Sequence, residues 1–293
     1  MDIEKYGSRN LHVEYDTARR YIDCKNGNDA NDGKSQATAW KTIDRFINEL
    51  RDKSSIRAYI ISPGVYEASF VAISNATIHI TAKVDGVTIK LSPKNNGDSV
   101  AIYNSHLSFT CENAAHRMTF TGAFVKAENC SNTLYYCNFL SGYQQVGGYI
   151  GCMFCTFKPH KSVNNKYTVD VLGCNGYMMA CMVYGPDYAD GYPVYLHNGS
   201  SIVFRNDSSE TTGCTFIAGS TGNTAPVYSF GAKMMYLDNI PTFKGKYTYG
   251  LRASNSEVLI PTKPYNAWLK AGTSYYTGAS FVIKSNQIIY PAK

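Results

Sequence analysis

Charged side chains are scarce in this chain of 293 residues, where Asp, Glu, Lys and Arg together make up 17%, against roughly 25% in soluble domains. The 28 Lys and Arg residues form no run longer than Arg19–Arg20, which excludes the basic stripe typical of nucleic-acid-binding proteins. No run of 18 apolar residues occurs, so no membrane insertion is predicted. Residues 1–6 lack an apolar signal region, which predicts a protein that no standard signal exports.

The abundant residues point to β structure. Hydrophobic residues make up 44%, and 24 Tyr stand against 2 Trp, with 24 Gly beside them. A chain that is poor in charge and rich in Tyr, Asn, Gly, Ser and Thr is typical of an all-β protein with many turns.

The nine cysteines are an odd number, and Cys152–Cys155 forms a CxxC pair. No second ligand pair follows at a zinc spacing, and the pair does not open a helix as a redox motif does. Buried, reduced thiols are therefore predicted, with no metal and no cofactor, in a protein made in a reducing cytosol. The loop Asn26–Gly33 lacks the order of a calcium-binding loop and is predicted to be an Asx-rich turn.

Charge density divides the chain near residue 58. Residues 1–57 hold 21 of the 50 charged residues. We predict a linker or stem to a preceding module over 1–20, a strand, an Asn/Asp/Gly loop and a capping helix over 21–57, and a β body over 58–293. The helix is predicted from residues at helical spacing, with Ser35 or Thr38 as its cap; the spaced residues are Trp40, Ile43, Phe46, Ile47 and Leu50.

A loose repeat decides among the architectures that short strands allow, which are a sandwich, a barrel or a solenoid. Five tripeptides combine a small or soft residue with a hydrophobe two positions later and are soon followed by Gly or Pro: 118–120, 137–139, 155–157, 181–183 and 214–216. In a parallel β-helix, equivalent positions stack about 4.8 Å apart, so like residues form columns. A second column is predicted seven residues upstream, at Cys111, Cys130, Gly148, Cys174 and Asp207.

Residues 21–50 sharpen this prediction. The strand 21–23, the Gly-Asn-Asp…Asp-Gly loop 27–33 and the segment 38–43 resemble the entry segment of right-handed parallel β-helix proteins of the pectin-lyase-like type, and segments 60–66 and 73–78 also fit. The resemblance covers roughly residues 21–91. It implies a right-handed parallel β-helix with an N-terminal capping α-helix. Such openings are common in bacteriophage tail spikes and tail fibres and in secreted bacterial surface proteins, and the tail-spike resemblance implies a homotrimer. It carries no catalytic residues.

The strongest candidate site is a loop with two carboxylates and three aromatic rings. Sugars stack their apolar faces on such rings and hydrogen-bond to carboxylates, so a glycan site is predicted there, with a solvated loop as the alternative. His197 and Arg205 lie in or near turns and are predicted contacts for an acidic glycan. The loop residues are Tyr184, Asp187, Tyr188, Asp190 and Tyr192.

Fewer features of the sequence indicate a catalytic site. A glycosidase needs two carboxylates about 5–9 Å apart, and acids are few after residue 58. The candidates are Asp170, which lies among strand hydrophobes, and the pairs Asp187/Asp190 and Asp207/Glu210. A structural acid is the alternative for Asp170, and the balance leans against an enzyme.

The sequence therefore favours a virion attachment protein, a phage tail spike or fibre made in the host cytoplasm. Its lateral β-helix face binds a bacterial surface polysaccharide, and its N-terminus meets other tail proteins. The alternatives are a polysaccharide depolymerase, either a glycosidase or a lyase, and a non-catalytic structural component of the tail or baseplate.

Overall fold

The structure is a computed structural model. It describes residues 19–50, 55–69, 72–92, 99–113, 115–160, 166–205, 213–236 and 242–259, and the backbone alone of residues 272–277, 281–284 and 288–289. Most of the predicted linker (residues 1–18) and the candidates Asp207 and Glu210 lie outside the described residues.

Strands dominate the described chain. The helix α1 (Ile43–Leu50) follows the strand β1 (Arg19–Ile22). The later strands are β2 (Ser55–Ile60), β3 (Gly64–Ala68), β4 (Ala72–Ser74), β5 (Thr77–Ala82), β6 (Val87–Leu91), β7 (Ser99–Tyr103), β8 (His106–Cys111), β9 (Met118–Gly122), β10 (Phe124–Tyr135), β11 (Cys137–Phe139), β12 (Tyr143–Met153), β13 (Thr156–Phe157), β14 (Tyr167–Leu172), β15 (Asn175–Met179), β16 (Met182–Tyr184), β17 (Tyr192–His197), β18 (Ser201–Arg205), β19 (Thr215–Ile217), β20 (Val227–Phe230), β21 (Lys233–Tyr236), β22 (Thr242–Lys244), β23 (Tyr247–Ser254), β24 (Ser256–Leu259), β25 (Gly272–Thr277), β26 (Phe281–Lys284) and β27 (Ile288–Ile289).

Successive coils build three parallel sheets. Sheet 1 holds β4, β7, β14, β17, β20, β23 and β25; sheet 2 holds β1, β2, β5, β8, β15, β18, β21, β24 and β26; sheet 3 holds β3, β6, β9, β11, β13, β16, β19 and β22. The long strands β10 and β12 begin in sheet 1 and end in sheet 2. Among the described strands only β26 and β27 pair antiparallel. The predicted parallel β-helix is confirmed, and the sandwich and barrel alternatives are wrong.

The repeat found in the sequence forms the interior side of sheet 3. The strand β11 pairs with β9 and β13 in register, so Phe120, Phe139 and Phe157 lie in one column. Their ring centroids are 4.8 Å and 5.3 Å apart and nearly parallel. Stacked aromatic pairs add stabilisation beyond the area that they bury. The cysteines at the start of these tripeptides are all buried.

The corners between sheets explain most of the cysteines. At many of these corners a residue with positive φ precedes a Ser or Cys whose side chain donates to a carbonyl two or three residues upstream, whereas Ala76, Gly148 and Ala232 occupy this position in other coils. At the corner from sheet 1 to sheet 2, Cys174 Sγ lies 3.2 Å from Leu172 O, and Ser200 Oγ lies 2.8 Å from His197 O. The same hydrogen bond is made in other coils at this corner by Ser105, Cys130 and Ser256. At the corner from sheet 2 to sheet 3 it is made by Cys137, Cys155 and Cys181.

This hydrogen bond adds a side-chain donor at the tight turn, where the carbonyl also accepts a backbone N–H from the neighbouring coil, as His197 O does from Gly173 at 3.1 Å. The cysteines are therefore donors as well as small hydrophobes. The predicted upstream column holds for Cys130, Gly148 and Cys174, which lie in line. It is wrong for Cys111, which ends β8 opposite Ala82, at the following corner.

The helix α1 covers the first coil as predicted. Phe46 is fully buried, Leu50 is nearly so, and α1 packs against β2 and β3. The predicted cap is wrong, because the Thr42 hydroxyl accepts the Arg45 N–H at 3.2 Å, whereas Ser35 and Thr38 bond to each other. Among the described residues no helix is long and apolar enough to cross a membrane.

Trp40 lies before the helix rather than in it. It forms a parallel bridge with Ile22, and its Nε1 donates to Asn31 O at 2.8 Å. The loop before it is held by its own side chains, since Asp29 accepts the N–H groups of Lys41 and Thr42 at 2.8 and 2.9 Å. These Asx contacts join the loop to the helix start.

Candidate functional site

Five coils place one row of polar side chains on the outer face of sheet 1. Pairing through β12, β14, β17, β20 and β23 is in register, so one residue of each strand lies beside the next. Their side chains face outward because the flanking residues Val169 and Val171, or Val194 and Leu196, are buried. We call this set the polar row: Gln144, Asp170, Tyr195, Tyr228 and Arg252.

A second outward row lies two residues further along each strand. It carries two aliphatic side chains, an imidazole, an exposed phenyl ring and a hydroxyl. Phe230 in this row is 39% exposed, so its ring is accessible from solvent beside the polar row. We call this set the adjacent row, and the two rows together the sheet-1 patch: Val146, Leu172, His197, Phe230 and Ser254.

A buried carboxylate links the two rows. Asp170 is only 8% exposed, its Oδ1 lies 2.8 Å from His197 Nε2, and its Oδ2 accepts Gln144 Nε2 at 2.6 Å. Because an ionised carboxylate can only accept, His197 must donate from Nε2. In a neutral imidazole the other ring nitrogen, Nδ1, is then an acceptor.

Stacked tyrosines continue the polar row. The Tyr195 ring centroid lies 4.3 Å from Tyr167, 4.3 Å from His197 and 5.0 Å from Tyr228, with interplanar angles of 22°, 11° and 23°. The faces of Tyr195 are thus occupied by neighbouring rings. Burial, followed by the nearby Tyr167, raises the pKa of Tyr195 to about 12. Tyr195 therefore keeps its phenolic proton at neutral pH and offers a hydroxyl rather than a stacking face.

A guanidinium lies toward the far end of the polar row. Arg252 sits over the Tyr228 ring, 4.5 Å from its centroid, and donates to the Tyr192 hydroxyl. Such cation–π contacts fix a side chain while leaving its charge in place. The patch consequently carries negative charge near Asp170 and positive charge near Arg252.

The structure brings together three of the predicted site residues: Asp170, Tyr192 and His197. Arg205 is placed elsewhere, at the exposed end of β18 in sheet 2. Tyr184 ends β16 in sheet 3, where Lys158 Nζ lies 5.0 Å from its ring centroid. Asp187, Tyr188 and Asp190 follow in the loop between β16 and β17.

That loop is fastened to the next coil. Asp187 Oδ1 accepts both the N–H and the hydroxyl of Ser220 at 2.7 Å, and these bonds hold the pKa of its carboxyl below the usual range. The hydrogen bond and charge of Lys166 likewise lower the pKa of Asp190. A glycosidase acid needs a raised pKa, so these directions favour hydrogen bonding over proton donation at Asp187 and Asp190.

Sequence reasoning missed Gln144, Tyr195, Tyr228, Phe230 and Arg252. A signal for three of them was present. The segments Pro193-Val-Tyr-Leu-His and Pro226-Val-Tyr-Ser-Phe repeat one pattern, in which Tyr and the last residue are the outward pair. Gln144 and Arg252 have no such repeat around them.

Comparisons with known proteins add little. No protein-family model matches the chain, and no curated protein matches it. A solved structure named rhamnogalacturonan lyase is similar at 11% sequence identity, with a TM-score of 0.35, over 82% of this chain and 68% of that one. At these values no activity, ligand or residue role is carried over from it to this chain.

Proposed function

We propose that this chain is a glycan-binding protein and that the sheet-1 patch is its binding surface. The observation that carries the proposal is the exposed Phe230 ring, which lies in register with His197 and beside the polar row. An apolar surface bordered by a few placed hydrogen-bonding groups is the usual composition of a small-ligand site. A sugar ring needs the same combination, because it has apolar faces and a rim of hydroxyls.

The direction of the rows suits a polymer. Neighbouring strands are about 4.8 Å apart, so the five residues of the polar row span about 19 Å along the stack. An extended oligosaccharide lying across the strands meets a new pair of side chains at each coil. Phenolic and amide groups are neutral donors and acceptors, which suits hydroxyl recognition.

The finer proposal is a virion attachment protein, a phage tail spike or fibre subunit. The resemblance of residues 21–91 to the entry segments of such proteins supports it. In this proposal the chain forms a homotrimer, is made in the host cytoplasm, and meets other tail proteins through its N-terminus. Sedimentation of the purified chain tests the trimer, and a monomer at micromolar concentration contradicts it.

Three alanine variants test the binding surface. Tyr149 in sheet 2 and Tyr188 in the loop after β16 are 41% and 40% exposed, so they match Phe230 in size and exposure. Binding to polysaccharides extracted from candidate host cells is measured by surface plasmon resonance. Phe230→Ala should weaken binding at least tenfold, which corresponds to about 1.4 kcal/mol, and Tyr149→Ala should leave it unchanged. If only Tyr188→Ala weakens binding, the binding site is the loop after β16 and not the sheet-1 patch.

A polysaccharide depolymerase is the second candidate function. The observation that favours it is the 2.8 Å contact between Asp170 and His197, because a carboxylate that orients an imidazole is a common arrangement for proton transfer. Incubation with the bound polysaccharide tests this function. New reducing ends or unsaturated uronate absorbance, lost in His197→Gln, would establish cleavage.

A further inference from the structure

The Asp170 end of the patch has a defined hydrogen-bonding character. Asp170 uses Oδ1 for His197 and Oδ2 for Gln144, so each carboxylate oxygen already has a protein partner. Its charge remains, and the side chain is 12% exposed, in an environment where charges are weakly screened. A second negative charge beside it is disfavoured.

His197 converts this buried charge into a surface acceptor. With Nε2 donating to Asp170, the neutral imidazole presents the lone pair of Nδ1. The ring is stacked on Tyr195 and is therefore held in one orientation. An acceptor held in one orientation selects a ligand group that carries a hydrogen.

We infer that the rungs of Asp170 and His197 bind an uncharged sugar residue, whose ring lies against Phe230 and whose hydroxyl donates to His197 Nδ1. This inference rests on the proposed function and narrows its ligand class. His197 acts as the specificity-determining contact, and Asp170 is a positioning residue that also excludes acidic sugars from these rungs. An acidic group is accommodated only near Arg252, whose backbone lies three rungs or about 14 Å from Asp170 along the stack and whose guanidinium reaches the Tyr192 hydroxyl at the start of β17.

The test uses the full chain and an array of immobilised bacterial surface polysaccharides, neutral and acidic, with each acidic polymer also present in carboxyl-reduced form. His197→Gln keeps a donor for Asp170 and an acceptor at the surface, whereas His197→Leu keeps neither. Asp170→Asn retains an oxygen that accepts from His197 and removes the charge. Thermal melting of each variant verifies the fold.

The wild type should bind neutral polymers, and carboxyl reduction should preserve or strengthen its binding to any acidic polymer. His197→Leu should weaken binding about tenfold, as expected for loss of a ligand hydrogen bond, and His197→Gln should weaken it less than His197→Leu does. Asp170→Asn should bind acidic polymers that the wild type does not bind. That gain is a readout that a merely structural aspartate would not give.

Two results would overturn the inference while leaving glycan binding intact. One is undiminished binding by folded His197→Leu. The other is wild-type binding that is restricted to acidic polymers and lost on carboxyl reduction. A wild-type protein that binds no polymer on the array would overturn the proposed function and the inference together.

Discussion

Replacing Cys174 by serine and by valine tests whether the corner cysteines act as hydrogen-bond donors. The Cys174 thiol is buried and lies 3.2 Å from Leu172 O. Valine is apolar and removes this hydrogen bond, which contributes about 0.5–1.5 kcal/mol for a typical intramolecular bond. Serine restores a donor, and Ser200 closes the same corner one coil later at 2.8 Å. We expect serine to cost less than about 1 kcal/mol.

Cys152 provides the opposite case. It is fully buried one residue before the end of β12, and its thiol makes no hydrogen bond to the described residues. Serine at this position buries an unsatisfied hydroxyl at about 1–3 kcal/mol, whereas valine suits a strand interior. Valine should therefore be the more destabilising substitution at Cys174, and serine the more destabilising one at Cys152.

Thermal unfolding at a fixed scan rate measures both pairs. At about 2–4 °C in Tm for each kcal/mol, Cys174→Val should melt about 1–6 °C and Cys152→Ser about 2–12 °C below the wild type. Equal losses for serine and valine at both positions would refute the donor role. The same losses would then reflect packing volume alone.

Three further predictions concern the cap, a corner and the loop after β16. Phe46→Ala should destabilise the protein by about 3–5 kcal/mol in urea unfolding, because the Phe46 ring lies on the buried side of α1 and is fully buried. Gly148→Ala should melt several degrees below Gly199→Ala, since both have positive φ but only the first Cβ would overlap a neighbouring carbonyl. Because the pKa of Asp187 is lowered, its contact with Ser220 is intact above the ordinary value of 3.8. The protection factor of the Ser220 amide, which compares its exchange rate with the intrinsic rate at the same pH, should fall only as pH falls through the lowered pKa. A protection factor that is already lower at pH 6 than at pH 7 would contradict this.

The sequence predicts the interior of this fold well and its outer face poorly. The repeated tripeptides lie at strands β9, β11, β13, β16 and β19 of sheet 3. Interior positions admit few residue types, because each column must fill the same narrow space, so Cys and Phe recur at matching places. Trp40 fits the helical spacing yet lies outside α1, because its backbone is extended and forms a parallel β-bridge with Ile22.

The candidate site was harder to predict for a physical reason. The sequence identifies Asp170 as an acid on a strand and His197 as a residue in or near a turn, but their contact depends on the lengths of the intervening coils. Coil length is set by corners and loops, where the sequence varies most. Outward residues also face no packing constraint, so Gln144 and Arg252 resemble ordinary surface residues until the register of the sheet is known.

Each coil supplies one rung to the patch, and this has a consequence for how the protein can change. Tandem duplication of one coil would lengthen the ligand surface by about 4.8 Å while leaving the earlier rungs in place. Substitution of one outward residue would alter recognition of one short stretch of polymer. Under the proposed function, variants of this chain can therefore differ in the length and the sequence of the polysaccharide that they bind by independent genetic steps.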